Sequence, residues 1–197
     1  MKLLIAVPAN GYIRFEFAQC LGELLLRLQA AGVDVSLHIE GGTLVYMARE
    51  KLAAYAINGG YDRVLWLDAD MTFPPDLCDR LAPGLPFATS VYRQRRSPYG
   101  VTVYDSLFPV HRMEDLPEAG EPVRALACGF GGVLMETGLL RDVLDKCGCC
   151  FTPTTQFGED IAFCARVHDN KLAPLMVCPS ARMGHIGIVT VTPEWHP

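Results

Sequence analysis

No uninterrupted apolar run in the sequence approaches the roughly 20 residues that a membrane-spanning helix needs, so an intrinsic membrane anchor is not expected. The opening run Leu3 to Val7 is too short for an export signal and stops at Pro8, with Asn10 and Gly11 behind it. A cytoplasmic location is the resulting expectation. Basic excess is also lacking. The formal net charge is -5 and the pI about 5.5, which excludes a duplex nucleic-acid binder, because phosphate neutralisation requires a concentrated basic surface. Sustained heptads, internal repeats and a low-complexity linker are missing too, so neither a coiled coil nor a repeat array is expected. The eight cysteines do not form the paired spacings of a zinc site. Cys147, Cys149 and Cys150 cluster without a second pair, and in a chain without an export signal they are expected to be reduced thiols.

What is present is a chain of 197 residues, half of them apolar, enough for one compact domain over 1–197 with its own core. Leu3 to Val7 is a continuous apolar run of the kind expected for a strand buried on both faces. Phe15, Ala18, Leu21, Leu25 and Leu28 recur at helical spacing, with Gly32 placed to end the helix. Val33, Val35, Leu37 and Ile39 alternate as a strand. A helix is expected from about Leu44 to Ile57, and a buried strand at Val64 to Leu67. Strand alternating with helix predicts an α/β fold with a mainly parallel, mixed central sheet flanked by helices, whose ligand site lies beyond the carboxyl ends of the strands. Further on, the pattern predicts strands near 87–91, 101–104, 129–135 and 175–177, a helix capped by Thr137, another over 159–169, and a polar surface loop over 109–122.

The chemistry concentrates at Asp68-Ala69-Asp70, which comes directly after the apolar strand. Two carboxylates at the mouth of a sheet repel one another and lose solvation; a divalent cation offsets both. All-oxygen ligands suit Mn2+ or Mg2+, which keep open positions for phosphate oxygens. An isolated Asp-x-Asp is otherwise a solvated turn. Arg93, Arg95 and Arg96, in a loop with Tyr92 and Tyr99, are either solvated surface or the positive charge that an acidic protein needs to hold an anion.

The segment Val64-Leu65-Trp66-Leu67-Asp68-Ala69-Asp70-Met71-Thr72-Phe73-Pro74-Pro75 resembles the metal-binding segment of GT-A-fold nucleotide-sugar glycosyltransferases, family 2-like. The order of later motifs is similar as well: Gly129-Phe130-Gly131-Gly132, then Phe157-Gly158-Glu159-Asp160, then Gly184-His185-Ile186-Gly187. The resemblance implies a GT-A-like domain that moves a sugar from a nucleoside diphosphate donor to an acceptor hydroxyl on a glycan, small molecule or protein. It further implies that Val7, Pro8, Arg49, Asp68, Ala69 and Arg93 face the donor, and that Asp68, Asp70 and His185 hold Mn2+ or Mg2+. Asp160, with Glu159 as the less favoured holder of the role, would be the general base of an inverting transfer. Gly129, Gly131 and Gly132 would either let substrate approach the backbone or serve close packing. Two alternatives use the same features. One is a nucleotidyltransferase, although Pro8-Ala9-Asn10-Gly11 lacks the Lys or Arg of a phosphate loop; the other is a noncatalytic nucleotide-sugar or carbohydrate binding module.

Overall fold

The computed structural model describes residues 1–187. In chain order the elements are β1 (Lys2–Pro8), α1 (Phe15–Ala30), β2 (Asp34–Glu40), α2 (Val45–Asn58), β3 (Arg63–Leu67), β4 (Met71–Thr72), α3 (Leu77–Arg80), β5 (Phe87–Val91), β6 (Val103–Leu107), β7 (Val110–Arg112), β8 (Val123–Ala125), β9 (Ala127–Cys128), β10 (Gly132–Glu136), α4 (Thr137–Cys147), α5 (Glu159–Asp169), β11 (Leu175–Arg182) and β12 (Gly184–His185). The central sheet has the order β2-β1-β3-β10-β5-β11-β8. β1, β2, β3, β5 and β11 share one direction, while β10 and β8 run against it. The sheet is therefore mixed but mainly parallel, as the sequence pattern predicts.

Alternation along the buried strands divides the core into two layers. Leu3, Ile5, Val7, Leu65 and Leu67 face Phe17, Leu21, Leu24 and Leu28 of α1. Leu4, Ala6, Val64 and Trp66 face Leu52, Ala53 and Ala56 of α2, together with Leu140 and Val143 of α4 and Phe163 of α5. Burying each large apolar side chain contributes about 1.5–3 kcal/mol, so both faces of β1 and β3 are fixed tightly and their carboxyl ends become a rigid base for the turns beyond them. α1 ends as expected at Gly32, whose φ of 72° suits glycine. The N–H groups of Gly32 and Val33 donate to the carbonyls of Gln29 and Leu28, the pairing of a Schellman motif.

Three local expectations change. Thr137 is the first residue of α4 rather than its cap, because Glu136 at the end of β10 already supplies the extended cap conformation (φ -70°, ψ 136°) and makes no side-chain cap bond. The strand expected over 129–135 starts only at Gly132, because Ala127 and Cys128 pair instead with β6 in a separate three-stranded sheet. The loop over 109–122 contains a strand, β7, which pairs with β6. No helix is long and apolar enough to cross a membrane among the described residues, and all eight cysteines are free.

Candidate active site

Two backbone arrangements build the site. First, β10 runs antiparallel to β3 with Gly132 opposite Leu67, so the turn entering β10 borders the turn leaving β3. The Asp68 N–H donates to the Gly131 carbonyl at 3.3 Å. Second, β12 pairs with β4, setting His185 opposite Met71 and Gly184 opposite Thr72, and the Ile186 N–H donates to the Asp70 carbonyl at 2.8 Å. A late segment of the chain is thereby laid against the residues immediately after β3.

Gly184 is required there by space. A Cβ on it would meet Thr72 Oγ1 at 2.3 Å. The same geometry decides the role of the glycines at the entry to β10. Side-chain atoms on Gly131 and Gly132 would collide with Tyr92 and Met183 respectively, so these two serve close packing, not substrate approach. Tyr92 is buried and its hydroxyl accepts from the Gly131 N–H at 2.9 Å; burial, reinforced by Asp68, pushes that phenol well above its usual range.

A cavity of about 1030 Å³ opens over these turns, lined among others by Pro8, Arg49, Asp68, Ala69, Asp70, Glu159, Asp160 and His185. Eight of the ten residues that the sequence resemblance assigns to donor, metal or base thus share one cavity, and Arg95 and Arg96 line it too. Val7 is buried in the core beneath it, and Arg93 faces an adjoining cavity of about 900 Å³, where it pairs with Glu114 at 3.0 Å. Sequence reasoning did not single out Tyr12, Arg14, Thr102 and Tyr104, which also line the larger cavity. Nothing local marks Thr102 or Tyr104, because they reach it from β6 of the three-stranded sheet and the residue just before that strand.

Arg49 comes from α2 and is only 2% exposed. Its guanidinium lies among the rings of Trp66, Phe130 and Phe151, 5.2–6.0 Å from their centroids, and its Nη2 donates to Asp68 Oδ1 at 2.7 Å. Nε lies 3.7 Å from Glu159. Burial lowers the pKa of this arginine, but the carboxylates of Asp68, Glu159 and Asp160 outweigh it and leave the net shift upward. Nη1 is buried without a hydrogen-bond partner; an unmet donor of this kind costs about 1–3 kcal/mol.

Asp160 is the second residue of α5, with Oδ1 accepting from the Ile161 N–H at 2.7 Å. Burial, then the neighbouring Glu159 charge, pushes its carboxyl up to about 6, against the opposing pull of that N–H and Arg49. A carboxylate tuned this close to neutrality suits proton transfer.

At the opposite wall His185 Nδ1 lies 3.0 Å from the Arg93 carbonyl. A carbonyl only accepts, so Nδ1 carries the proton, and the lone pair of the neutral ring is on Nε2, which stands 3.5 Å from Asp70 Oδ2. This is the tautomer a metal-binding imidazole needs. Burial raises the Asp70 pKa, but His185 and Arg95 more than compensate and hold it below the usual carboxylate range. Asp70 in turn raises the imidazole pKa. A carboxylate and an imidazole nitrogen aimed together fit a divalent cation as a partial ligand set. Asp68 is turned towards Arg49 instead, and no group of three His, Cys, Asp or Glu that could hold a metal occurs among the described residues. A cation here would draw its remaining ligands from phosphate and water.

No family model matches the sequence, and no curated protein does. Solved structures do match. The chain covers 98% of itself and 45% of GalNAc-T7, solved with UDP, GalNAc and Mn2+, at 13% identity and a TM-score of 0.64. It therefore spans less than half of that protein's length. Against the catalytic domain of Drosophila β1,4-galactosyltransferase 7, solved with xylobiose, coverage is 94% and 71%, identity 14% and TM-score 0.56. A protein from STIV matches over 100% and 99% of the two chains at 15% identity and a TM-score of 0.55. At these identities the likeness is one of fold, and the fold is of the GT-A type.

Proposed function

We propose that this protein is a glycosyltransferase that moves a sugar from a nucleoside diphosphate donor to an acceptor hydroxyl, with a divalent cation at Asp70 and His185. The observation that carries the reading is the convergence of Asp70, His185, Arg49, Asp68 and Asp160 on one cavity at the carboxyl edge of β1 and β3, on a fold of the GT-A type. In the proposal, Pro8 and the turn after it border the nucleoside, and Asp68, held rigidly by Arg49, accepts from donor hydroxyls. Ala69 leaves room beside them. Arg93 faces the neighbouring cavity and would act on the donor only after leaving Glu114.

When bound, Mn2+ or Mg2+ would neutralise the diphosphate as the bond from sugar to oxygen breaks and negative charge gathers on the leaving group. Asp160 would take the acceptor's hydroxyl proton, with Glu159 raising its basicity, in a direct displacement that inverts the anomeric carbon. Anomer analysis of the product tests that last step.

The deciding measurement is calorimetric titration with UDP, GDP, CDP and dTDP, each with Mn2+ and with chelator. Binding of at least one, lost with chelator and in Asp70→Ala, supports the reading; binding indifferent to both overturns it. One observation favours a second reading, nucleotidyl transfer. The inositol-1-phosphate CTP transferase of T. maritima matches over 94% of this chain and 89% of its own, at 12% identity and a TM-score of 0.50. Release of pyrophosphate from a nucleoside triphosphate would select it.

A further inference from the structure

Asp70 is claimed twice. His185 Nε2 faces its Oδ2, and the Arg95 guanidinium bonds that same oxygen through Nη1. Arg95 sits on the segment leaving β5, whose backbone is tied down on both sides: the Gln94 N–H donates to the Gly100 carbonyl at 3.0 Å and the Tyr99 N–H to the Arg96 carbonyl at 2.8 Å. The side chain, by contrast, is 47% exposed and borders both cavities. Its base is fixed and its head has room to turn.

Arg14 and Arg96 also line the larger cavity but do not pair with Asp70, and three further arginines nearby are held by partners of their own. Arg49 is buried on Asp68, Arg93 is on Glu114, and Arg182 donates to the Pro117 carbonyl at 2.8 Å. A cation arriving at Asp70 and His185 leaves each of those partners in place. Arg95 is bonded to the very carboxylate such a cation would use, and a guanidinium beside a doubly charged ion is repelled. Once released, it would have an attractive partner in a diphosphate bound in the same cavity, whose paired oxygens match the planar fork of arginine.

We propose that Arg95 is a two-position residue, pairing with Asp70 in the ligand-free protein and turning onto the diphosphate when a divalent cation takes Asp70 and His185. The exchange makes cation and diphosphate help one another to bind, because each removes an obstacle to the other. By linkage the help is reciprocal. Before binding, the Arg95 ion pair also holds the Asp70 side chain in position.

This inference rests on the assignment of a cation to Asp70 and His185, and the test separates the two. The purified full chain, as wild type, Arg95→Gln, Arg95→Lys and Asp70→Ala, is titrated calorimetrically with Mn2+ alone and then with pyrophosphate in the presence of Mn2+. Arg95→Gln is expected to bind Mn2+ alone roughly five- to tenfold more tightly than wild type, and pyrophosphate with Mn2+ more weakly by a similar factor. Arg95→Lys should fall between. Unchanged or weaker Mn2+ binding in Arg95→Gln, with wild-type binding still dependent on Asp70, overturns the exchange and leaves the metal reading standing. Tighter Mn2+ binding without the loss on pyrophosphate overturns the second position of Arg95. If Asp70→Ala binds Mn2+ as wild type does, both readings fall. The exposed position of Arg95 means that its variants should keep the wild-type circular dichroism spectrum.

Discussion

At the scale of single residues, Asp160 and Arg49 carry opposite signs of the same physics. Both are charges withdrawn from water, but Arg49 is surrounded by carboxylates and aromatic faces that favour its charge, whereas Asp160 faces another carboxylate and is pushed up to about 6. Because its folded pKa lies above the unfolded value, the protonated form is favoured by folding. Asp160 therefore contributes stability at low pH, and that contribution is lost as pH rises through about 6. Asp160→Asn is accordingly expected to raise the thermal midpoint at pH 8 and to leave it nearly unchanged at pH 4. It should also reduce transfer by about 10²–10⁴-fold, the usual range for a missing general base. In the wild type, kcat/KM should climb as pH rises through about 6, and a flat profile would remove Asp160 from the role. Arg49→Ala should destabilise the fold by about 3 kcal/mol in urea unfolding, since removing one partner leaves the other charge uncompensated. A loss under about 1 kcal/mol would place the pair among weak surface bridges.

At the scale of elements, the site depends on a two-residue pairing, β12 on β4. Gly184→Ala forces a Cβ to within 2.3 Å of Thr72 Oγ1, which pushes His185 away from Asp70. Metal-linked nucleotide binding should fall by about tenfold or more while the unfolding transition stays near wild type. Adding Thr72→Ala removes the clashing oxygen and leaves the Thr72 Cβ at an ordinary 3.7 Å, so the double variant should recover binding. Failure to recover would mean that Gly184 matters for a reason other than this approach. The helices, by contrast, act through broad apolar faces. α1 and α2 fix opposite faces of β1 and β3, and no single surface position on them should move the site.

At the scale of the whole molecule, the site lies at one edge of the sheet while the two core layers lie on its faces. Stability and cation binding at Asp70 and His185 are therefore separable. Asp70 and Asp68 are held by Arg95, His185 and Arg49 in the ligand-free protein, so chelator should leave the unfolding midpoint of that protein where it was. Nucleoside diphosphate with Mn2+ should raise the midpoint with concentration, by binding the native state alone. A midpoint that collapses with chelator would reveal a structural ion and sink that expectation. The acidic net charge of -5 has a consequence at this scale too. An anionic donor, as proposed, would meet general repulsion, which a cation at Asp70 and the arginines around it would reverse locally.

Much of this architecture was legible in the sequence because it is written in local periodicity. The apolar runs at 3–7 and 64–67, the helical spacing from Phe15 to Leu28 and the glycine at 32 each specify an element through nearest neighbours. Their alternation then restricts the fold to an α/β sheet with its site at the strand ends. Asp68-Ala69-Asp70 could be placed at that edge for the same reason. The entry of β10 between β3 and β5, against their direction, was not written locally. Nor was the docking of β12 on β4, which alone sets His185 beside Asp70, or the aromatic surroundings that fasten Arg49 beneath Asp68. The contest of Arg95 and His185 for one oxygen, and the burial that tunes Asp160, are further products of long-range packing. Periodicity reports which face of an element is apolar. It carries no information about which distant charge will be brought against another, and these pairings arise only when the core layers close and fix the strand ends in space.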